Sequence, residues 1–252
     1  MIEMARLRPV GDHRWHHAWL HEDMSLHVED RDGVRVVLLD RPSKRNALDM
    51  SLVEGIREAI GSAPGITVVL GSADPRSFSA GADLDLADTD RAAMSDALYD
   101  LYLFMRATPK VLIAAASGHA VGGGAQLLIA CDLRLAGPDI AIRFVGPGHG
   151  LVVGAWGLPS LIGRGRATDL CLSMRTVGAE EALAMGLVDR VVEDPLDRAI
   201  EYGAQVSALD PAAVAIVKRV IAVSDTGEAL RLERAENSAW DGAIPRSPTS
   251  EQ

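Results

Sequence analysis

Two glycine-bearing stretches decide how this chain folds: Phe78-Ser79-Ala80-Gly81-Ala82-Asp83-Leu84 and Gly118-His119-Ala120-Val121-Gly122-Gly123-Gly124-Ala125-Gln126. Glycine lets the backbone approach a neighbour or a ligand closely, so each stretch offers N–H groups that no side chain covers. The second stretch leads into a helical pattern, and the first N–H groups of a helix have no partner within it. Two such N–H groups pointing at one oxygen would form an oxyanion hole, which predicts a reaction that builds negative charge on a carbonyl oxygen.

Strand and helix patterns alternate around these two stretches. Val34–Asp40 and Ile66–Gly71 are apolar runs typical of buried strands, and Ala47–Ile60 has the apolar spacing of a helix. Because strand-then-helix units repeat along the chain, the pattern predicts an α/β core. The last part is nearly all helix, with predicted helices over Leu196–Ala208 and from Pro211 to about Trp240.

The chain divides into three predicted parts: an N-terminal extension over residues 1–24, a core over 25–195 and a helical C-terminal region with a tail over 196–252. The C-terminal helices form too thin a layer to bury all their apolar residues by themselves. We therefore expect them to pack against a neighbouring subunit.

Composition limits the partners of this protein. The chain has 252 residues, 48% of them hydrophobic, and a formal net charge of −10. This length fits one large domain with a sizeable core, and the negative charge argues against nucleic acid and anionic membranes as partners. No apolar run reaches the roughly 18 residues of a membrane span, and the charged residues 1–22 lack the apolar centre of a signal peptide. We therefore expect a cytoplasmic protein.

Neither the cysteines nor the N-terminal histidines predict a reactive or metal-binding site. Cys131 and Cys171 lie alone in apolar, helix-like stretches and are expected to be buried free thiols. The extension contains four histidines, some at the i,i+4 spacing that can hold a metal on a helix: His13, His16, His17 and His21. Because no carboxylate or cysteine completes that set, we favour an exposed or partner-covered tail over a metal site.

Four segments of the chain, taken together, resemble the crotonase, or enoyl-CoA hydratase/isomerase, superfamily. They are Leu39–Leu48, Phe78–Leu84, Gly118–Asp132 and Ala179–Val192. Any one of them would be a weak signal, but all four occur in the order and at the spacing of the family. The similarity runs from about residue 26 to about residue 240.

The resemblance implies a fold, a substrate class and a site. The fold would be a crotonase-like spiral of ββα turns with a C-terminal helical region, assembled as a homotrimer or a dimer of trimers. The substrates would be acyl-CoA thioesters, with coenzyme A as part of the substrate and no other cofactor. The thioester oxygen would be held by the backbone N–H groups of Ala82 and Gly123. The coenzyme A moiety would lie against Lys44, Arg45, Ala47, Ala80, Asp83 and Leu84.

The chain departs from the family where the two catalytic glutamates of the hydratases are expected. The first position, three residues after Gly123, holds Gln126, whose amide can orient a group but cannot act as a general base. The second falls within residues 144–151, which contain no carboxylate and show Gly148 followed by His149. Ordinary hydration of an enoyl-CoA is therefore doubtful on chemical grounds. His149 is the nearest residue that could transfer a proton near neutral pH.

Several other residues have a functional and a structural interpretation that the sequence leaves open. Arg143 could bind a substrate carboxylate or form a surface ion pair, and Asp83 could organise its loop. The remaining candidates could approach the acyl group or could be packing and surface residues: Asp85, Asp88, Tyr99, Tyr102, His119 and Trp156. No dinucleotide fingerprint, P-loop or serine-hydrolase motif competes with the resemblance.

The function predicted from the sequence is an enzyme, of lyase or isomerase type, that processes acyl-CoA in fatty acid metabolism. It would stabilise a thioester enolate in the oxyanion hole without the usual two glutamates. The alternative is a non-catalytic paralogue that binds acyl-CoA or supports a partner enzyme.

Overall fold

The computed structural model describes residues 25–83, 85 and 87–222, and beyond them residues 227, 231, 234, 235, 237 and 238. The N-terminal extension with its histidines, Leu84 and the C-terminal tail lie outside the described residues. Among the described residues, no helix has both the length and the apolar composition needed to cross a membrane.

Strands and helices alternate through the described part of the chain. The strands are β1 (Leu26–Arg31), β2 (Val34–Leu39), β3 (Thr67–Ser72), β4 (Ser77–Ser79), β5 (Val111–Ala116), β6 (His119–Val121), β7 (Leu133–Ala136), β8 (Ala141–Arg143), β9 (Val177–Gly178) and β10 (Arg190–Val191). The helices are α1 (Met50–Gly61), α2 (Asp88–Ala107), α3 (Gly123–Ala130), α4 (Leu158–Ile162), α5 (Arg164–Ser173), α6 (Ala179–Met185), α7 (Pro195–Ser207) and α8 (Pro211–Ala222).

A sheet of six strands forms the centre of the fold, in the order β1-β2-β3-β5-β7-β10. β1 and β2 form an antiparallel hairpin, and the other pairs are parallel. Successive residues of a strand face opposite sides of a sheet. Val37 and Leu39 accordingly join the large core beneath the sheet, whereas Val34 and Val36 join a second cluster on the other face. Because both faces of this sheet are covered, its strands appear in the sequence as continuous apolar runs.

Helix α7 covers the second face of this sheet. Its residues Ala199 and Ile200 are buried against Val36, Val69 and Ile113 of three neighbouring strands. The first predicted C-terminal helix therefore buries its apolar face within its own chain, without a neighbouring subunit.

Helix α8 is anchored by one buried lysine. The ammonium of Lys218 donates to the Asp132 carboxylate at 2.7 Å, to the Lys110 carbonyl at 2.6 Å and to the Met105 carbonyl at 3.2 Å. Burial lowers the pKa of Lys218, and Asp132 partly offsets this effect. Because all three N–H donors are used, this lysine fixes the position of α8 on the core.

A second, small sheet carries the two glycine stretches. Its order is β4-β6-β8-β9, with β4, β6 and β8 parallel to one another. In the glycine-rich stretch 140–154, residues 141–143 form β8 and residues 147–149 form a turn of 3-10 helix. Strands of two or three residues are too short to show a period of two, which explains why the sequence did not predict them.

Candidate active site

Two parallel neighbours, β4 and β6, bring the glycine stretches together. Ala80, Gly81 and Ala82 follow the end of β4, and Gly122 and Gly123 follow the end of β6. The carboxyl ends of parallel strands meet at the same edge of a sheet, where α/β proteins form ligand sites. The sheet therefore places two distant segments of sequence side by side.

Glycine is required at this edge because the two backbones nearly touch. Gly81 has a φ of +92°, and a Cβ atom there would lie 2.7 Å from the Val121 carbonyl oxygen. A Cβ on Gly124 would lie 2.5 Å from the Ser79 carbonyl oxygen. Side chains at either position would force the two stretches apart.

The N–H groups of Ala82 and Gly123 are neighbours in this arrangement. A Cβ on Gly81 would lie 3.1 Å from the Gly123 nitrogen, and one on Gly123 would lie 3.4 Å from the Ala82 nitrogen. Among the described residues, neither N–H group has a hydrogen-bond acceptor. Gly123 is the first residue of α3, so its N–H lies at the positive end of the helix dipole.

A cavity of about 300 Å³ opens over these two N–H groups. Its lining includes all four residues that the sequence analysis proposed for catalysis: Ala82, Gly123, Gln126 and His149. Apolar residues form much of the remaining wall: Leu98, Tyr99, Val121, Val145, Leu151 and Val153. The structure thus brings the predicted donors and the predicted polar side chains to one site.

Gln126 lies on α3 and is held in one orientation. Its side-chain oxygen accepts hydrogen bonds from the Gly154 N–H at 3.0 Å and from the Trp156 indole N–H at 2.9 Å. Since both partners are donors, the atom facing them must be the amide oxygen. Only the NH₂ group of this buried side chain remains to bind a ligand, so Gln126 offers the cavity a hydrogen-bond donor.

Aromatic side chains support this helix from behind. The Tyr102 hydroxyl donates to the Gly123 carbonyl at 2.8 Å, and its ring stacks on Trp156 with 6.2 Å between the centroids. Tyr102 is fully buried and Trp156 is 3% exposed. Neither residue lines the cavity; both fix Gly123 and Gln126, which do.

His149 lies at the end of the 147–149 turn and is half-buried at the cavity wall. Its Nδ1 atom is buried and has no hydrogen-bond partner among the described residues. Buried polar atoms are normally paired, so this nitrogen is a candidate for contact with a ligand or a bound water.

Arg143, at the end of β8, also lines the cavity, as do Arg91 and Ser95 of α2. The Arg143 side chain is exposed, and its Nε donates to the Met174 carbonyl. Among the described residues, Arg143 forms no ion pair, so its interpretation as a surface ion pair has no support in the structure.

The residues expected around coenzyme A belong to two segments, residues 44–47 and the first glycine stretch. Lys44 is exposed and forms an ion pair with the exposed Asp85, which raises the pKa of Lys44. Arg45 is exposed, with a left-handed φ of +51°. Ala47 is buried, Ala80 lines the cavity, and Leu84 lies outside the described residues.

Asp83 organises this loop. Its carboxylate is buried. It accepts hydrogen bonds from the Arg41 guanidinium at 2.8 Å and from the backbone N–H of Asp85 at 3.1 Å. Burial would raise the pKa of Asp83, but these two partners together lower it below its usual value. An ionised carboxylate satisfied in this way holds the backbone beside Ala82 rather than moving protons.

One wall residue has no signal in the sequence. Asn237 is buried, lines the cavity and exchanges hydrogen bonds with both backbone groups of Val152, at 3.1 Å and 3.0 Å. Its amide also donates to the Tyr99 hydroxyl at 2.8 Å, and that hydroxyl donates to the Val152 carbonyl. This contact spans 85 residues of sequence between Val152 and Asn237, so no local motif could reveal it.

The remaining sequence candidates have structural or surface positions. His119 and Asp85 are exposed and do not line the cavity, and the side chain of Asp88 lies outside the described part of the chain. Cys131 is fully buried, and burial raises the pKa of its thiol to about 12. Cys171 is half-buried and contacts the Val153 carbonyl. The described residues contain no cluster of side chains able to hold a metal ion.

Comparison with known proteins shows the family of this chain. Residues 29–239 match the family model described as enoyl-CoA hydratase/isomerase. The chain is 35% identical over 203 residues to the protein named "Probable enoyl-CoA hydratase echA6" of Mycobacterium leprae, covering 77% of this chain and 81% of the relative. It is 34% identical over 192 residues to the 2,3-dehydroadipyl-CoA hydratase of Escherichia coli, covering 73% and 74%.

A solved structure shows the same fold. The crystal structure of an enoyl-CoA hydratase from Bacillus halodurans superimposes with a TM-score of 0.77 at 25% sequence identity. The superposition covers 86% of this chain and 94% of that chain.

Proposed function

The chain belongs to the enoyl-CoA hydratase/isomerase family, whose crotonase fold the sequence predicted, and from this premise we propose how its cavity handles an acyl-CoA thioester. The thioester oxygen lies between the N–H groups of Ala82 and Gly123. Both groups donate to it as negative charge develops, so that the substrate passes through an enolate.

The closeness of two unpaired backbone N–H groups carries this proposal. They come from segments 41 residues apart in sequence, yet a Cβ on Gly123 would be in van der Waals contact with the Ala82 nitrogen, at 3.4 Å. A dipole at a helix N-terminus and a second fixed N–H need no reorganisation when charge forms. Removal of one such donor typically costs about 3 kcal/mol of transition-state stabilisation.

Coenzyme A lies along Lys44, Arg45, Ala47, Ala80, Asp83 and Leu84, and meets the cavity at Ala80. Lys44 and Arg45 are exposed cations that suit the phosphates of coenzyme A. Asp83, with its Arg41 partner, shapes the loop on which the thioester rests.

Proton transfer cannot follow the usual two-glutamate scheme. Gln126 presents an amide NH₂ to the cavity, and Gly148 offers no side chain. Among the described residues lining the cavity, His149 is the one histidine, and an imidazole can both donate and accept a proton. We propose that Gln126 orients the acyl group or a water and that His149 serves as acid or base. Hydration, isomerisation, decarboxylation and C–C cleavage remain the candidate reactions.

A second candidate function is a non-catalytic acyl-CoA-binding protein. The described lining of the cavity contains no Asp or Glu, which favours this alternative. Both candidates use the same oxyanion hole, and they differ in whether a bound thioester is converted.

Turnover of a mixed panel of saturated, unsaturated and hydroxylated acyl-CoAs separates the two. Conversion of any member supports the enzyme. Tight calorimetric binding without conversion supports the binding protein. Absence of binding by every thioester overturns both.

The oxyanion hole is tested by Gly123→Pro, which removes one N–H at the first helical position, where proline is tolerated. We expect kcat/KM, or binding of an enolate analogue, to fall by about 100-fold or more. Gly123→Ala is the matched control because it keeps the N–H, and its Cβ would lie 3.3 Å or more from its neighbours. Equal activity of the proline and alanine variants would remove Gly123 from the site.

A further inference from the structure

The described lining of the cavity is basic and not acidic. It includes two arginines, Arg91 and Arg143, and no Asp or Glu. The site adds three hydrogen-bond donors to these cations: the two backbone N–H groups and the Gln126 NH₂. A cavity with this lining favours a ligand that brings acceptors and negative charge beyond its thioester.

Arg143 is the best placed of these cations. Its backbone carbonyl accepts the Gly122 N–H at 2.9 Å, so its Cα lies one strand away from the oxyanion donor at Gly123. Its Nε is held by the Met174 carbonyl, which anchors the side chain. Its two terminal nitrogens form no hydrogen bond with any described residue.

The anchor places the guanidinium on the wall that carries His149. A Cβ on Gly148 would lie 3.4 Å from the Met174 sulfur and methyl, so Met174 lies directly against the turn of residues 147–149. The unpaired, buried Nδ1 of His149 is on the same turn. His149 Nδ1 and the two terminal nitrogens of Arg143, which have no hydrogen-bond partner among the described residues, thus lie on one side of the cavity.

We propose that the acyl group of the substrate ends in a carboxylate and that Arg143 binds it, so that the substrates are monothioesters of dicarboxylic acids. This inference rests on the proposed function, since it assumes a thioester held by Ala82 and Gly123. A guanidinium with both terminal nitrogens free can hold a carboxylate through two parallel hydrogen bonds. An uncharged acyl chain would instead leave the Arg143 guanidinium facing an apolar group, with no acceptor for its terminal N–H donors.

Matched ligand pairs isolate the charge. Malonyl-CoA and acetoacetyl-CoA have nearly the same shape and differ by a carboxylate oxygen in place of a methyl group; succinyl-CoA and 4-oxopentanoyl-CoA form a longer pair. Calorimetric titration at equal ionic strength should show, in at least one of the two pairs, that the thioester with the carboxylate binds at least tenfold more tightly than its uncharged counterpart. In Arg143→Gln this ratio should fall to about threefold or less.

Arg166→Gln is the control, because Arg166 is an exposed arginine of α5 outside the cavity lining. It should keep the wild-type ratio, and circular dichroism should show that both variants fold. Equal wild-type affinities within both pairs, or a ratio that survives in Arg143→Gln, would overturn the inference and leave the proposed function standing. If no thioester of either pair binds, the proposed function itself fails.

Discussion

At the scale of single residues, the most consequential side chain is Gln126. A glutamine at this position keeps the geometry expected of a catalytic carboxylate but changes its chemistry, because its oxygen is occupied by Gly154 and Trp156. The side chain therefore joins a structural role to the proposed catalytic one: it holds residues 154–156 and also lines the cavity.

This double role predicts how substitutions of Gln126 behave. Gln126→Leu fills the same volume but leaves two buried N–H donors unpaired, which should lower the free energy of unfolding by about 2–4 kcal/mol. Gln126→Glu keeps an acceptor for both donors and should lose much less. Urea denaturation measures the difference, and equal stability of the two variants would contradict the hydrogen-bond arrangement.

Catalysis should respond differently from binding. Gln126→Ala should reduce turnover by about tenfold or more while the affinity for coenzyme A changes little, since we propose that the residue orients the acyl group or a water. Kinetics like those of the unmodified protein would remove Gln126 from the catalytic site.

At the scale of elements, the wall over the acyl site is held by the segment that contains Asn237. Its amide pairs with the backbone of Val152 in both directions and also binds Tyr99 of α2. Three parts of the chain therefore meet at one side chain: helix α2, the 144–156 segment and the C-terminal region.

We expect Asn237→Leu to lower the free energy of unfolding by about 1–3 kcal/mol, because it leaves the Tyr99 and Val152 groups without their partner. Since Val152 neighbours the cavity-lining Leu151 and Val153, the KM for acyl-CoA should rise more than kcat falls. Ser238→Ala is the control, as this exposed hydroxyl donates to the local Ala235 carbonyl and to no other described residue. Identical stability and KM for both variants would contradict the role of Asn237.

At the scale of the whole molecule, the exposed apolar face of α8 is the surface on which we base the expected oligomer. Lys218 anchors the helix to the core, yet neighbouring apolar side chains face outward, with exposures of 50% for Ile216, 57% for Val217 and 68% for Ile221. Leu209, just before α8, is also 57% exposed. Contiguous exposed apolar residues commonly mark a protein interface. We propose that this surface contributes to a homotrimer or a dimer of trimers.

Light scattering after size exclusion tests that assembly. The unmodified protein should elute as a trimer or hexamer, and Val217→Glu should shift it towards monomers because a buried, unpaired charge opposes association. Ser51→Glu adds the same charge to the exposed first turn of α1 and should leave the assembly unchanged. A monomeric wild type at micromolar concentration would contradict the proposal. The cytoplasmic location expected from the sequence stays a prediction.

Much of the core could be predicted because its signals are local. The apolar runs at β2 and β3 and the spacing of α1 need only neighbouring residues to be recognised. The short strands β8 and β9 could not be predicted, because pairing across the small sheet defines them rather than their own composition.

The sequence by itself determined the two glycine stretches, the family, and the lack of a carboxylate at residue 126 and in residues 144–151, since each of these is read from residues that are neighbours in the chain. Only the tertiary structure decided which N–H groups meet, which atom of Gln126 faces the cavity and that Asn237 closes the wall. The physical reason is the range of the interactions. Hydrogen bonds between residues 28, 30 and 85 positions apart depend on how the sheets and helices pack, which no local pattern records.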